Sequence, residues 1–187
     1  MPLNNRLPVV PDKGEIVFCD FTPFAAPEMI KRRPCIVVSP VLKNRPKICT
    51  IVPLSTTPPV PPQAYNVQIV IQPPLRKPYD DPIAWVKADM LYTVSINRLD
   101  RPSRFDQNRK RIYYKQVVSV DIMSMIEEAI LCGLGINPRN CSNSHYGALV
   151  TKTMQSALIM QELLINKRKS RSNYSIKIGS ISNHKRP

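Results

Sequence analysis

Short apolar runs alternate with polar or proline-rich segments over the first half of the chain. The runs have the length of β-strands and are rich in β-branched residues, which predicts strands at 15–21, 35–38, 47–54, 65–71 and 85–95. The last of these is expected to bend near Asp89. Consecutive short strands with few helical signals indicate a small barrel or sandwich.

A helical pattern follows the strands. Ser119, a residue type that caps helix N-termini, precedes an apolar stripe at helical spacing and predicts a helix that ends near Cys132. The stripe consists of Val118, Ile122, Met125, Ile126, Ala129 and Ile130. A short helical turn is predicted at 96–99 and a basic hairpin or loop at 101–115. We interpret the stripe as a packing surface.

The composition changes at Asn137, where Ser and Asn become frequent. A second helical pattern covers 148–165, a basic segment follows it, and the last residues have the composition of a disordered tail. The sequence therefore predicts a mainly β domain over 1–136 and a basic C-terminal extension over 137–187. The extension either binds RNA or ribosomes, or is a solvated segment without a function of its own.

Charge points to a polyanionic partner. The chain has 27 Lys and Arg against 13 Asp and Glu, a formal net charge of +14. Nine of these cations and one of the acidic residues lie in 136–187, so more than half of the excess belongs to the extension. No apolar run approaches the roughly 20 residues of a membrane-spanning helix, and the polar start lacks the pattern of a signal peptide. We expect a cytoplasmic protein that does not bind membranes.

The cysteines support a reducing compartment. There are five of them, with no CxxC pair, and three lie inside apolar runs. We therefore interpret them as small buried hydrophobic residues.

Three consecutive cations end the first long loop. Lys31, Arg32 and Arg33 precede Pro34, which restricts the residue before it to extended geometry. A guanidinium held by a strand is suited to bind phosphate through its planar fork of donors. The same cluster could also be a solvated charge run beside a strand. A second loop, 72–82, is stiffened by its prolines and is expected to flank a groove.

The sequence lacks the residues that several common catalytic mechanisms require. Both histidines, His145 and His184, lie in the extension, and the five glycines form no phosphate-binding loop. The β region has few carboxylates for a two-metal site. The remaining candidates for catalysis are a cation, Arg33, the hydroxyls of Ser55 and its neighbour Thr56, and a carboxylate, Asp89. Such a set could cleave RNA by attack of the substrate's own 2′-OH on the adjacent phosphate.

Lys87 and Asp89 are two residues apart. In a continuous strand they would share one face, either as a surface charge pair or as groups directed into a cleft.

The order and spacing of short motifs resemble those of the PemK/MazF (Kid-like) toxins of type II toxin–antitoxin systems over roughly residues 13–134. The motifs are Lys13-Gly-Glu-Ile-Val17, Asp20-Phe-Thr-Pro23, Glu28, Arg33-Pro34, Val52-Pro-Leu-Ser55, Lys87-Ala-Asp89, Thr93-Val-Ser95 and Arg98-Leu99. The resemblance implies an SH3-like barrel of the CcdB/Kid type with a C-terminal helix, usually a homodimer. It also implies cleavage of single-stranded RNA without metal or cofactor, a cyclic phosphate product, and inhibition by a cognate antitoxin whose complex could bind operator DNA.

The resemblance also assigns roles to residues. It implies Arg33, Ser55 and Asp89 as catalytic residues. The expected RNA-binding residues are Glu28, Lys31, Arg32, Thr56, Thr57, Lys87, Tyr92 and Thr93. Met90 and Tyr92 stand where many members have glutamine and arginine. This departure leaves two alternatives open: a member without catalysis that binds nucleic acid or antitoxin, and a toxin of this fold that acts on DNA gyrase.

Overall fold

The computed structural model describes residue 7 and residues 9–136. Over these residues the strands are β1 (Ile16–Asp20), β2 (Arg32–Val37), β3 (Ile48–Ser55), β4 (Asn66–Val70), β5 (Ile83–Lys87), β6 (Tyr92–Ser95), β7 (Leu99–Asp100), β8 (Ser103–Phe105) and β9 (Arg111–Tyr113). A 3-10 turn (Ile96–Arg98) precedes β7, and the helix α1 (Val120–Gly133) ends the fold. The expected mainly β architecture with one C-terminal helix is confirmed. The second helix and the tail predicted within 137–187 lie outside the described residues.

Strand β3 is the centre of a seven-stranded antiparallel sheet. One of its edges pairs with β2, and the other pairs first with β6 and then with β5. The sheet extends through β1 to β7 on one side and through β5 to β4 on the other. Within the described residues the pairing path is open, because it ends at β4 and at the two-residue strand β7. The strands β8 and β9 form a separate hairpin, which is one of the two alternatives predicted for the basic segment.

The strand predicted over 85–95 is two strands. Val86 pairs with Leu54, and Tyr92 pairs with Ile51. Five residues therefore separate the two paired positions in 85–95, whereas only two residues separate their partners in β3. The three extra residues are accommodated in a turn that contains Asp89. The prediction that Lys87 and Asp89 share a strand face is therefore wrong, since alternation stops where β5 ends.

The helix α1 begins as predicted. The Ser119 hydroxyl accepts a hydrogen bond from the Ile122 N–H at 3.3 Å, which caps the first turn. Its buried residues are Met123, Ile126 and Ala129, so the packed face also includes Met123, which is not part of the predicted stripe. The helix packs against β4. No helix among the described residues has the length and apolar character needed to cross a membrane.

Three cysteine thiols lie inside the sheet's core, as expected. Cys19, Cys35 and Cys49 are buried and free. Burial raises the pKa of Cys19 to about 12 and that of Cys49 to about 11, and it also raises the pKa of Cys35. The thiols therefore stay protonated at neutral pH and act as small hydrophobic side chains.

One ion pair joins the buried Glu15, directly before β1, to Arg101 at the base of the hairpin. The Glu15 side chain is 1% exposed, and the Arg101 Nε donates to its Oε1 at 2.7 Å. The backbone N–H of Asp12 donates to the other carboxylate oxygen at 3.2 Å. A buried carboxylate needs such partners, because removal from water penalises its charge.

We predict that Arg101→Met lowers the free energy of unfolding by about 3 kcal/mol, because it leaves the Glu15 carboxylate buried without a counter-charge. Urea denaturation measures this change. The double variant Glu15→Gln/Arg101→Met serves as the control and should lose less, since no charge stays buried. Equal losses in the single and double variants would contradict the electrostatic explanation.

Candidate functional site

A cavity of about 280 Å³ lies where the adjacent ends of β2 and β3 meet the loop 72–82. Its lining residues are Lys31, Arg32, Arg33, Pro34, Leu54, Ser55, Thr56, Ile71, Leu75, Pro78, Tyr79, Asp81 and Ala84. Three cations and one carboxylate therefore line it, which favours an anionic ligand. The structure confirms that the proline-rich loop flanks a groove.

The strand register explains why Arg33 and Ser55 lie in the same cavity. Cys35 pairs with Pro53 across β2 and β3. The pairing of the two strands ends at this residue pair. Arg33 and Ser55 lie two residues beyond it, at neighbouring ends of β2 and β3, where both line the cavity. Both residues lie at strand ends, since β2 begins at Arg32 and β3 ends at Ser55.

The Arg33 side chain has unused hydrogen-bonding capacity. Its Nε is buried and has no hydrogen-bond partner, and no carboxylate among the described residues forms an ion pair with it. A buried donor without a partner costs about 1–3 kcal/mol, so the site is less stable without an acceptor than with one. The side chain as a whole is half-buried and lines the cavity, so a phosphate group there would bind the terminal nitrogens of the guanidinium.

Arg32 differs from its neighbour because it is held by the sheet. Its Nη2 donates to the Asp100 Oδ2 at 3.3 Å, and its guanidinium carbon lies 4.1 Å from the centre of the Phe18 ring. The side chain is 44% exposed, so the ion pair contributes little by itself. Arg32 therefore adds positive charge to the cavity wall, while Arg33 keeps free donors.

The Ser55 hydroxyl is oriented as a donor. Its oxygen accepts a hydrogen bond from the Thr57 N–H at 3.1 Å, which leaves the hydroxyl proton available. The side chain is half-buried at the end of β3. Thr56 lines the cavity beside it, whereas Thr57 contributes through its backbone.

Tyr79 holds the loop 72–82 against β2. Its hydroxyl donates to the carbonyl oxygen of Arg32, and its ring centre lies 5.2 Å from that of Phe18. At the start of the loop, the buried Gln116 donates from Nε2 to the Pro73 carbonyl at 2.8 Å. The loop 72–82, which forms the cavity wall opposite β2 and β3, is therefore held by hydrogen bonds of Tyr79 and Gln116.

Asp81 is the carboxylate that the cavity contains, and it was not among the residues predicted for the site. Its Oδ1 accepts from the Ile83 N–H at 2.9 Å, which turns the chain into β5. Trp85, which lies two residues after Ile83 in β5, pairs with Ser55 on β3. The signal available in the sequence was the position of Asp81 at the end of a stiff loop, directly before a strand.

Asp89 and Lys87 do not line this cavity. Asp89 is exposed in the turn between β5 and β6, where its backbone lies against the helix: a Cβ on Gly133 would be 3.2 Å from the Asp89 Cα. Lys87 ends β5 opposite Asn66. The structure therefore does not bring Asp89 together with Arg33 and Ser55 in the cavity. Within residues 9–136, no group of three or more His, Cys, Asp or Glu side chains is placed to hold a metal ion.

Tyr92 anchors the loop between β1 and β2. Its ring centre lies 5.0 Å from that of Phe21 and 5.8 Å from that of Phe24, and its hydroxyl accepts from the Met29 N–H at 3.0 Å. Tyr92 is not a lining residue of the cavity, and its contacts explain why an aromatic side chain suits this position.

Arg98 holds the beginning of the loop between β1 and β2 in place. Its Nη1 donates to the carbonyl oxygens of Asp20 at 3.2 Å and Thr22 at 2.8 Å. The N–H of Thr22 in turn donates to the Asp20 carboxylate, which lowers the pKa of that group, and Arg98 and Arg32 lower it further. The loop that leads to the cations of the cavity is therefore held by backbone contacts from two directions.

The remaining residues predicted to bind RNA lie outside the cavity. Glu28 is exposed on the β1–β2 loop. Thr93 is exposed on β6, and its hydroxyl oxygen lies 3.0 Å from that of Thr50 on the paired strand.

Comparison with known proteins places the chain among related sequences. A model of the family described as PemK-like, MazF-like toxin of type II toxin–antitoxin system matches residues 12–131, which is more than half of the chain. A protein named YifN from Escherichia coli (strain K12) is 29% identical over 140 residues, covering 65% of this chain and 89% of YifN.

Solved structures with similar backbones include MazF from Deinococcus radiodurans, with a TM-score of 0.46 and 20% identity over 67% of this chain and 97% of that one. Another is an endoribonuclease in complex with its cognate antitoxin from a mycobacterial species. It has a TM-score of 0.43 and 21% identity over 67% of this chain and 94% of that one.

We predict opposite effects of neighbouring substitutions on stability. Arg33→Met should leave the free energy of unfolding unchanged or raise it by about 1 kcal/mol, because it removes an unpartnered donor. Arg32→Met should lower it by about 1 kcal/mol, because contacts with Phe18 and Asp100 are lost. Urea denaturation with and without inorganic phosphate measures both. Phosphate should stabilise the Arg32→Met variant but not the Arg33→Met variant, and the reverse result would contradict the assignment.

Proposed function

We propose that this chain, which belongs to the PemK-like, MazF-like toxins of type II toxin–antitoxin systems, is an endoribonuclease that cuts single-stranded RNA in the cavity between β2, β3 and the loop 72–82. The observation that carries the proposal is the unpartnered Arg33 side chain in a cavity that also holds the Ser55 hydroxyl. Together they offer donors for a phosphate group from two strands with a fixed register.

Arg33 and Ser55 would stabilise the charge that develops on the reacting phosphate. The guanidinium fork can bind two non-bridging oxygens, or one of these and the leaving oxygen. The Ser55 hydroxyl proton is free to donate to a further oxygen, since its own oxygen is held by the Thr57 N–H. Donors placed before the reaction stabilise the transition state without reorganisation.

The nucleophile in this proposal belongs to the substrate. The 2′-OH attacks the adjacent phosphorus, and its proton passes to a carboxylate. The bond between phosphorus and the 5′ oxygen breaks, and that oxygen takes up a proton from the solvent. The products are a 2′,3′-cyclic phosphate and a 5′-OH end. DNA lacks the 2′-OH and would not be cut.

We assign the proton transfer to Asp81. The family resemblance implies Asp89 for this step, but Asp89 lies in a turn against the helix, whereas Asp81 lines the cavity. One oxygen of Asp81 accepts from the Ile83 N–H, and the second oxygen remains available as a proton acceptor.

Family membership supports the proposed partners. As a type II toxin, the chain would be inhibited by a cognate antitoxin protein and would act in the cytoplasm as a homodimer. Contacts with operator DNA would then be made through the complex with the antitoxin.

The cleavage prediction is tested on a long single-stranded RNA in the presence of EDTA. We expect cuts that leave cyclic phosphate ends, and we expect Arg33→Ala and Ser55→Ala each to lower the rate by about 10²–10³-fold. Arg32→Met is the matched control and should lose far less activity. RNA that is bound but stays intact at excess protein would point instead to a member without catalysis, and RNA that is neither bound nor cut would contradict the proposal.

A separate experiment tests whether Asp81 or Asp89 accepts the proton of the 2′-OH. Asp81→Asn should lower kcat by about 10²–10⁴-fold, because the amide cannot take up the proton although its oxygen can still accept from the Ile83 N–H. Asp89→Asn is the control and should keep nearly full activity. Single-turnover cleavage rates measure both, and loss of activity in the Asp89 variant alone would return the role to Asp89.

A further inference from the structure

The β8–β9 hairpin is strongly cationic. Residues 101–115 contain six Lys and Arg and a single acidic residue. Arg101 and Lys115 form ion pairs with Glu15 and Asp12. The other four cations of the hairpin are exposed and form no ion pair within the described part of the chain. These four are Arg104, Arg109, Lys110 and Arg111.

One face of the hairpin combines this charge with aromatic rings. Phe105 pairs with Arg111, and Ser103 pairs with Tyr113, so Phe105, Arg111 and Tyr113 lie on the same face. The Arg111 guanidinium carbon is 5.9 Å from the centre of the Phe105 ring. Phe105 is nevertheless 47% exposed, so part of its ring is accessible to a ligand.

A residue from the loop 72–82 completes this face. The Arg76 guanidinium carbon lies 4.2 Å from the centre of the Phe105 ring. We call the set of Arg76, Phe105, Arg111 and Tyr113 the Phe105 face. The loop 72–82 connects it directly to the cavity, because the neighbouring Leu75 is one of the cavity's lining residues.

We propose that the Phe105 face binds the part of a single-stranded RNA that extends beyond the nucleotides in the cavity. Bases stack on aromatic rings and on guanidinium planes, and both are exposed here. Cations of the hairpin would neutralise the phosphates between the stacked bases. The inference rests on the proposed function for the identity of the ligand, and it adds a second binding region with no part in the chemistry.

Exposed aromatic and guanidinium groups favour RNA over an acidic protein as the ligand of this face. A patch that serves only to attract carboxylates needs positive charge, but it does not need guanidinium groups placed beside an exposed aromatic ring. Here three of the four exposed hairpin cations are arginines, and two guanidinium groups lie over one exposed ring. Planar groups of this kind match the flat faces of unpaired bases.

The test compares the binding of a short RNA of about five nucleotides with that of an RNA of about fifteen, both made resistant to cleavage by 2′-O-methylation. Two hairpin variants are used: Phe105→Leu, and the double variant Arg109→Asn/Lys110→Gln. Asparagine tolerates the positive φ of 60° at position 109. The control is Lys43→Gln/Arg45→Gln, which removes the same charge from the exposed turn between β2 and β3, at the other end of these strands.

We expect each hairpin variant to bind the longer RNA about tenfold more weakly, as the loss of one stacked base or of phosphate contacts predicts. The double variant should also lower the slope of log Kd against log salt concentration by about 0.7 for each lost contact. Affinity for the short RNA should stay unchanged, and so should the affinity of the control variant for both RNAs.

Equal affinities of hairpin and control variants for the longer RNA would overturn the inference. The same holds if the short RNA is weakened as much as the long one. Unchanged RNA binding with lost binding of the antitoxin would assign the Phe105 face to a protein partner. Because the RNA is not cut in this assay, failure of the proposed cleavage is detected independently, with unmodified RNA.

Discussion

The register between β2 and β3 is the constraint on which the candidate site depends. The pairing of Cys35 with Pro53 brings the neighbouring ends of the two strands together, and Arg33 and Ser55 at these ends line the same cavity. A slip by one residue would move either side chain to the other face of the sheet. The register is well determined, because β3 pairs along both edges and its residues from Ile51 to Leu54 are buried.

Two unfavourable features of the structure lie at the cavity. Lys31 has a φ of 67°, a conformation that costs energy for a residue with a side chain, and the Nε of Arg33 is buried without a partner. Elsewhere a buried charge such as that of Glu15 has its full set of partners. Such features are expected of a site that holds groups ready for a ligand at the expense of stability.

The loops around the cavity owe their shape to contacts that are distant in sequence. Tyr92 and Arg98 hold the β1–β2 loop, while Tyr79 and Gln116 hold the loop 72–82. The same loop that closes the cavity also carries Arg76 to the Phe105 ring. One rigid segment thus joins the proposed catalytic site to the proposed RNA-binding face, so the two could act on one continuous strand.

The sequence by itself determined the features that depend on neighbours along the chain. Alternation and β-branched residues located the strands, Ser119 marked the start of the helix, and Pro34 singled out Arg33. The tertiary structure decided which carboxylate lines the cavity together with Arg33. Three extra residues between β5 and β6 move Asp89 into a turn, and the fastened loop 72–82 brings Asp81 to the cavity. No local pattern encodes that outcome, because it depends on the pairing of both segments with β3 and on loop contacts across long separations.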